Sequence, residues 1–305
     1  MTTLINSGGI FLRRHLPELG ISRSDFAELR RSNLIRQVTY GVWVDAGVPD
    51  TQELRLETAA LIKPPNAVFC RETAAWLSEV DTFKPSERFL LRPQCVVPIG
   101  AGRCRNSLVR CYEGKLADKD IVDHNGVLKT RDVLTTFELL RWLWRPYALA
   151  GADGMARAGL VTPEEVQAYV ERRRGYRWVR QARQLAYLLE PLAESPGESW
   201  QRLRVIDAGF PVPRAQVPIT DARGKVRAWL DLALVEWKVG LEYDGREFHT
   251  EDYDEAHDNT RRRYVRNVHA WRIAVARRED IFGNDMAFER QVGEWIGREP
   301  LPRSW

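Results

Sequence analysis

The chain is short of cysteine, and the four it has (Cys70, Cys95, Cys104 and Cys111) sit in one central stretch with no Cys-x-x-Cys pair and no histidine at zinc-ligand spacing. That spacing gives a zinc site little support, and a chain of this length requires no disulfide framework, so the thiols are expected to be reduced and buried. Long apolar runs are absent too, with nothing approaching the roughly eighteen consecutive apolar residues of a membrane helix. Met1 to His15 lacks a basic segment followed by a sustained apolar one, so neither a secretory leader nor a membrane is expected and the cytoplasm is the expected location. Internal repeats and low-complexity segments are also missing. Acid is absent where base is densest. Arg261 to Arg278 holds seven arginines and no carboxylate, while Arg172, Arg173, Arg174, Arg177, Arg180 and Arg183 have only Glu171 beside them. The formal charge of +4 is small, but local concentrations of cation are what a phosphate polymer meets. Solvated helix faces are the other reading of both runs.

What is present suffices for several cores: 305 residues, 44% of them hydrophobic, fit two or three domains without covalent staples. Residues 1–48 read as two short helices and a hairpin. Ile10, Leu12, Leu16 and Leu19 lead to Gly20, Ser22-x-x-Asp25 restarts a helix near Ser24 that buries Phe26, Ala27 and Leu29, and Ile35 to Val44 forms two strands about a Tyr40-Gly41 turn. Helix, turn, helix and hairpin in that order describe a winged helix-turn-helix, a module that also serves protein binding and dimerisation. Residues 49–193 read as a mixed, mainly helical middle domain with helices near 52–62, 71–79, 131–143, 163–173 and 176–190. Strands are expected at Phe89 to Val97 and Ser107 to Tyr112, and Asn125-Gly126 signals a hairpin beside a lone His124. Glu194-Ser195-Pro196-Gly197 marks a boundary. Residues 194–305 then run helix (198–208), strand (215–220), strand (225–234), strand (239–244), helix (252–267), strand (271–277) and helix (285–296), a compact α/β unit. The fold class is thus α+β and multidomain.

Chemistry concentrates in that last unit. Asp231, Glu242 and Asp244 lie inside two runs of buried-strand composition, where an isolated carboxylate would be expensive to bury. Alternation puts Glu242 and Asp244 on one face of their strand, and the Glu236-Trp237 turn can bring Asp231 alongside. Converging carboxylates suit a hard cation, Mg²⁺ or Mn²⁺, which can acidify a bound water and stabilise charge on a phosphate in transit. His249 follows at a reach suited to general base or leaving-group acid, or else it lines the next turn. Behind it come His257, Asp258, Arg261 and Arg262, where arginines either orient the acids or contact phosphate.

The set Ser195-Pro196-Gly197-Glu198, Ala208-Gly209, Gln216-Val217-Pro218, Asp231, Glu242-Tyr243-Asp244-Gly245, His249, His257-Asp258, Arg261-Arg262 and Trp271, in that order over residues 194–282, resembles the very-short-patch-repair-like endonuclease domains, a branch of the PD-(D/E)XK superfamily. The resemblance implies a restriction-endonuclease-like domain in which Asp231 and Glu242 hold the metal, Asp244 stands where the superfamily commonly has lysine, and His249 assists proton transfer. Glu198 would be a further acid of that site, although Ser195 to Glu198 also fits a capping box. Leu19-Gly20-Ile21-Ser22, Arg36 to Val44 and Glu72-Thr73-Ala74-Ala75-Trp76-Leu77 resemble the AbiEi-type antitoxins of type IV toxin–antitoxin systems. That resemblance implies a winged-helix autorepressor whose helix from Ser24, with Arg30 and Arg31, enters the major groove while the hairpin with Arg36 meets the DNA backbone. The expected partners are double-stranded DNA, a second copy of the chain and a toxin or regulatory protein. Two functions compete: a metal-dependent endonuclease, and a sequence-specific repressor whose nuclease-like domain binds or dimerises without cutting.

Overall fold

In the computed structural model, residues 9–82, 89–101, 106–245 and 270–305 are described. They belong to two compact units, Met1–Glu138 and Leu139–Trp305. Within the units, contacts run across residues 48 and 193. Leu12, Val38, Val42 and Val44 share one core with Leu54, Phe69, Trp76 and Val127, so apolar packing runs through residue 48 without a break. Farther along, Asp153 is tied to Ser199 and Arg202, and Arg145 grips Asp207 through two 2.7 Å hydrogen bonds, which joins the helices before residue 193 to the helix after it.

The N-terminal unit begins with β1 (Phe11–Leu12), followed after a 3₁₀ turn (Arg13–His15) by α1 (Arg23–Arg31), β2 (Ile35–Thr39) and β3 (Val42–Asp45). The sheet order is β1-β3-β2, antiparallel throughout, with Phe11 opposite Trp43 and Ile35 opposite Asp45. A helix was expected over Ile10 to Leu19. The pattern misleads because Phe11 and Leu12, although neighbours, bury in different clusters, one with Phe26 and Trp43 and the other with Val42 and Val44, as opposite faces of a strand do. α1 starts as expected. Ser22 Oγ accepts from the Asp25 amide at 3.1 Å and the Asp25 carboxylate accepts from the Ser22 amide at 3.1 Å, a complete capping box. Phe26 and Leu29 are its buried residues, whereas Ala27 faces solvent.

Next come α2 (Gln52–Ile62), β4 (Val68–Phe69), α3 (Arg71–Leu77), β5 (Gln94–Val97), β6 (Arg110–Glu113), β7 (Ile121–His124) and β8 (Val127–Thr130). The strands form a five-stranded sheet, β6-β5-β4-β8-β7, in which β5 and β6 overlap the strands expected at Phe89 to Val97 and Ser107 to Tyr112. β4, two residues long, is too short for alternation to stand out in a sequence. The β7–β8 hairpin does turn on Asn125 and Gly126, whose φ values of +52° and +83° suit a two-residue loop.

α4 (Asp132–Trp142) crosses into the second unit, which continues through α5 (Arg145–Arg157), α6 (Pro163–Glu171), α7 (Val179–Ala186) and α8 (Pro196–Asp207). Its sheet contains β9 (Arg214–Thr220), β10 (Val226–Leu234), β11 (Val239–Tyr243) and β12 (Arg272–Ala276), in the order β12-β11-β10-β9. The first three form an antiparallel meander and β12 returns parallel to β11, with Glu242 opposite Val275. α9 (Arg278–Phe282) and α10 (Ala287–Ile296) complete it. Trp200 and Val205 of α8 pack with Leu232, Leu241 and Ala274 in the main core, while Val217, Ile219, Leu230 and Ile273 form a second cluster. The expected helix at 252–267 lies outside the described residues. Among the described residues no helix is long and apolar enough to cross a membrane.

Candidate functional site

The strand pairing decides which acids meet. β10 and β11 pair with Leu234 opposite Val239, Ala233 opposite Gly240 and Leu232 opposite Leu241. One step beyond the last pair, the same register sets Asp231 facing Glu242. Glu242 is buried and Asp231 half-buried. Gln201 of α8 donates from Nε2 to the Glu242 carbonyl at 3.1 Å, which fixes the strand against the helix at this residue. Asp244 lies just past β11. Its amide donates to the Ala276 carbonyl at 2.8 Å, extending the parallel pairing, and its carboxylate accepts from Arg277 Nε at 3.2 Å.

On the other flank of β10, Asp231 lies between the pairs Leu230–Val217 and Leu232–Ala215, opposite Gln216. Gln216 adopts φ +48°, a left-handed backbone that interrupts the ladder at this point. Its side-chain amide approaches Glu198 Oε2 at 3.5 Å. Glu198 itself is committed to the start of α8: its carboxylate accepts from the Glu194 amide at 3.0 Å and from Ser195 Oγ at 2.9 Å, while its own amide donates to Ser195 Oγ at 3.2 Å. Burial pushes its pKa up, and the hydrogen bonds from Glu194 and Ser195 pull it back. Of the two roles left open for Glu198, the capping geometry is present. Gly197 allows α8 to approach β11, because a Cβ there would lie 2.1 Å from the Tyr243 ring.

His249, Arg261 and Arg262, together with His257 and Asp258, lie outside the described residues. Among the described residues no group of three His, Cys, Asp or Glu side chains gathers at ligand spacing. Asp231 and Glu242 nevertheless offer two carboxylates from adjacent strands, a donor chemistry that fits part of the oxygen shell of Mg²⁺ or Mn²⁺.

In the N-terminal unit, Ser24, Arg30 and Arg31 are exposed on α1. Ser24 Oγ lies 2.7 Å from Ser22 Oγ, the Arg30 guanidinium sits 5.0 Å from the Trp43 ring centre, and Arg31 pairs with Glu28. Arg36 has a different occupation. Its Nη2 and Nε donate to the Val48 carbonyl at 2.6 and 3.1 Å, which ties β2 to the segment after β3.

Sequence reasoning missed a buried ion pair, Asp153 with Arg202, and a solvent-facing group of two tryptophans and one tyrosine around Arg141 and Arg177. The arginine-rich run from 172 to 183 was the available signal for the second. The burial of Asp153 within the Ala- and Gly-rich α5 gave none.

Residues 66–190 match the family described as AbiEi antitoxin C-terminal domain. Two proteins of Mycobacterium tuberculosis, the uncharacterized proteins MT2308 (strain CDC 1551 / Oshkosh) and Rv2248 (strain ATCC 25618 / H37Rv), are each 31% identical to this chain over 235 residues, 77% of its length and 82% of theirs. Among solved structures, the RV2827C protein from Mycobacterium tuberculosis is similar over 71% of this chain and 82% of that one, at 15% identity and a TM-score of 0.30, which is too loose to carry an argument about fold.

Proposed function

We propose a function for a chain that belongs to the same family as the mycobacterial proteins MT2308 and Rv2248 and whose residues 66–190 match the AbiEi antitoxin C-terminal domain: a DNA-binding regulator of the antitoxin type. One observation carries the reading. The antitoxin match lies downstream of a capped helix and a β-hairpin, with α2 between, and that helix and hairpin are the elements with which a winged helix reads duplex DNA. α1 would enter the major groove with Ser24, Arg30 and Arg31 outward, and the hairpin would lie along the backbone with its fold held by Arg36. A homodimer on a palindromic operator and a toxin or regulatory partner belong to the same proposal. The test is a mobility shift of DNA from upstream of the chain's own coding sequence. Specific retardation by the wild type, weakened by Arg30→Gln with Arg31→Gln, supports the reading. Equal retardation of unrelated duplex ends it.

A second reading, a Mg²⁺- or Mn²⁺-dependent endonuclease, is favoured by the facing positions of Asp231 and Glu242. These two would hold the ion, with Asp244 oriented by Arg277 and His249 as the proposed proton carrier; Arg261 and Arg262 are the proposed phosphate contacts. When bound, the ion would acidify water and neutralise charge on a phosphate. Supercoiled plasmid incubated with Mg²⁺, Mn²⁺ or EDTA tests it. Metal-dependent nicking by wild type and its loss in Asp231→Ala support this reading, whereas no cutting under any condition removes it and leaves the repressor.

A further inference from the structure

The end of α4 and the connection from α6 to α7 come together in the second unit and expose a face that neither reading uses. Trp142, Tyr176 and Trp178 are 38%, 46% and 55% exposed. Guanidinium groups alternate with their rings. Arg141 Cζ lies 5.1 Å from the ring centre of Trp142 and 5.0 Å from that of Tyr176. Arg177 Cζ lies 6.0 Å from Trp142 and 5.2 Å from Trp178. The result is a continuous strip of π-faces and cations.

Two further features mark the strip as more than a solvated helix end. Trp178 adopts φ +62°, a left-handed conformation that a bulky residue avoids, and the strained residue presents an indole to water instead of to a core. The next residues, Val179 and Ala182, are buried and anchor α7, so the backbone that carries Trp178 is fixed. Charge is also uncompensated: Arg172, Arg174, Arg177 and Arg180 are exposed and have no carboxylate partner among the described residues. A cavity of about 380 Å³ beside the strip is lined by Glu171, Arg174, Gly175 and Arg183.

Cations without counter-ions attract a polyanion. Exposed aromatic faces select among polyanions, because a duplex keeps its bases stacked inside whereas a single strand can lay them on a ring. We propose that this face binds single-stranded nucleic acid, with bases stacking on Trp142, Tyr176 and Trp178 and phosphates held by Arg174, Arg177 and Arg180.

The test uses the full chain and fluorescein-labelled oligothymidylate and oligouridylate, followed by anisotropy over a salt series. Trp178→Gly removes the ring and suits the left-handed backbone, so the variant keeps its fold, and circular dichroism checks this. Trp178→Gly combined with Trp142→Ala is expected to weaken oligonucleotide binding about tenfold or more while leaving duplex binding unchanged. Arg174→Gln with Arg177→Gln is expected to flatten the salt dependence. Salt-sensitive binding of either polymer supports the proposal. Absence of oligonucleotide binding, or wild-type affinity in the aromatic variant, overturns it. Displacement by polyglutamate as readily as by unlabelled oligothymidylate also overturns it, and assigns the face to an acidic protein.

Discussion

Replacing Asp153 with alanine would strip the second unit of its most buried acid. Asp153 is fully buried on α5, and Arg202 on α8 is 2% exposed. Asp153 Oδ2 accepts from Arg202 Nη2 at 3.2 Å and from Ser199 Oγ at 2.7 Å, while Oδ1 accepts from the Glu190 amide at 2.9 Å. Arg202 also donates to the Leu188 carbonyl. In Asp153→Ala the guanidinium keeps that one acceptor and loses its counter-charge, a loss of about 3–5 kcal/mol for a broken buried pair. The orphaned Glu190 amide pushes toward the upper end. With a urea dependence of about 2 kcal/mol per molar, the unfolding midpoint should fall by roughly 2 M, read by circular dichroism and by hydrogen exchange in α5 and α8. Arg202→Met in the Asp153→Ala background should recover much of the loss, because it removes the stranded charge. The pair also sets a pH dependence. Burial is the main cause that raises the Asp153 carboxyl from 3.8 to about 6, against the opposing pull of Arg202. A carboxyl raised on folding contributes stability that is complete below its unfolded value and lost as pH rises through its folded one. The wild type should therefore lose about 2 kcal/mol from this group between pH 4 and 7, and Asp153→Ala should lack that component. A midpoint within a few tenths molar of wild type, with the pH slope intact, would refute the reasoning.

Two other outcomes are expected from contacts near the candidate sites. Gly197→Ala places a methyl within 2.1 Å of the Tyr243 ring, so α8 must back away from β11; destabilisation of about 1–3 kcal/mol is expected, measured by thermal unfolding. Arg36→Met removes the tether to Val48 and should lower the melting temperature of the first unit without changing the salt slope of duplex binding, whereas a direct phosphate contact would reduce that slope by about one.

Local signals were legible and diffuse ones were not. Ser22 with Asp25, and Thr162 with Pro163 and Glu165, announce α1 and α6 because the cap and its partners lie within one turn. α5 escaped notice because Gly151 and Gly154 among alanines leave no apolar stripe, and nearly all of that helix is buried. β1 is hidden in the sequence because two adjacent buried residues serve two different cores. In the candidate site, alternation and a short turn suffice to bring Asp231 and Glu242 to facing positions. The role of Arg36 was out of reach, since its acceptor is a backbone carbonyl twelve residues away. The arginine run from 172 to 183 was visible, but its aromatic complement depends on Trp142 arriving from a different helix.

The parallel return of β12 has a consequence for the order in which the second unit assembles. β9, β10 and β11 are joined by turns of a few residues and can zip together as successive hairpins on a microsecond scale. β12 can pair with β11 only after a long crossover has closed, a slower event with a larger entropic barrier. Asp231 and Glu242 belong to the hairpins. The two acids therefore face each other early in folding, before the sheet has acquired its fourth strand, and their spacing is inherited from the part of the unit that forms first.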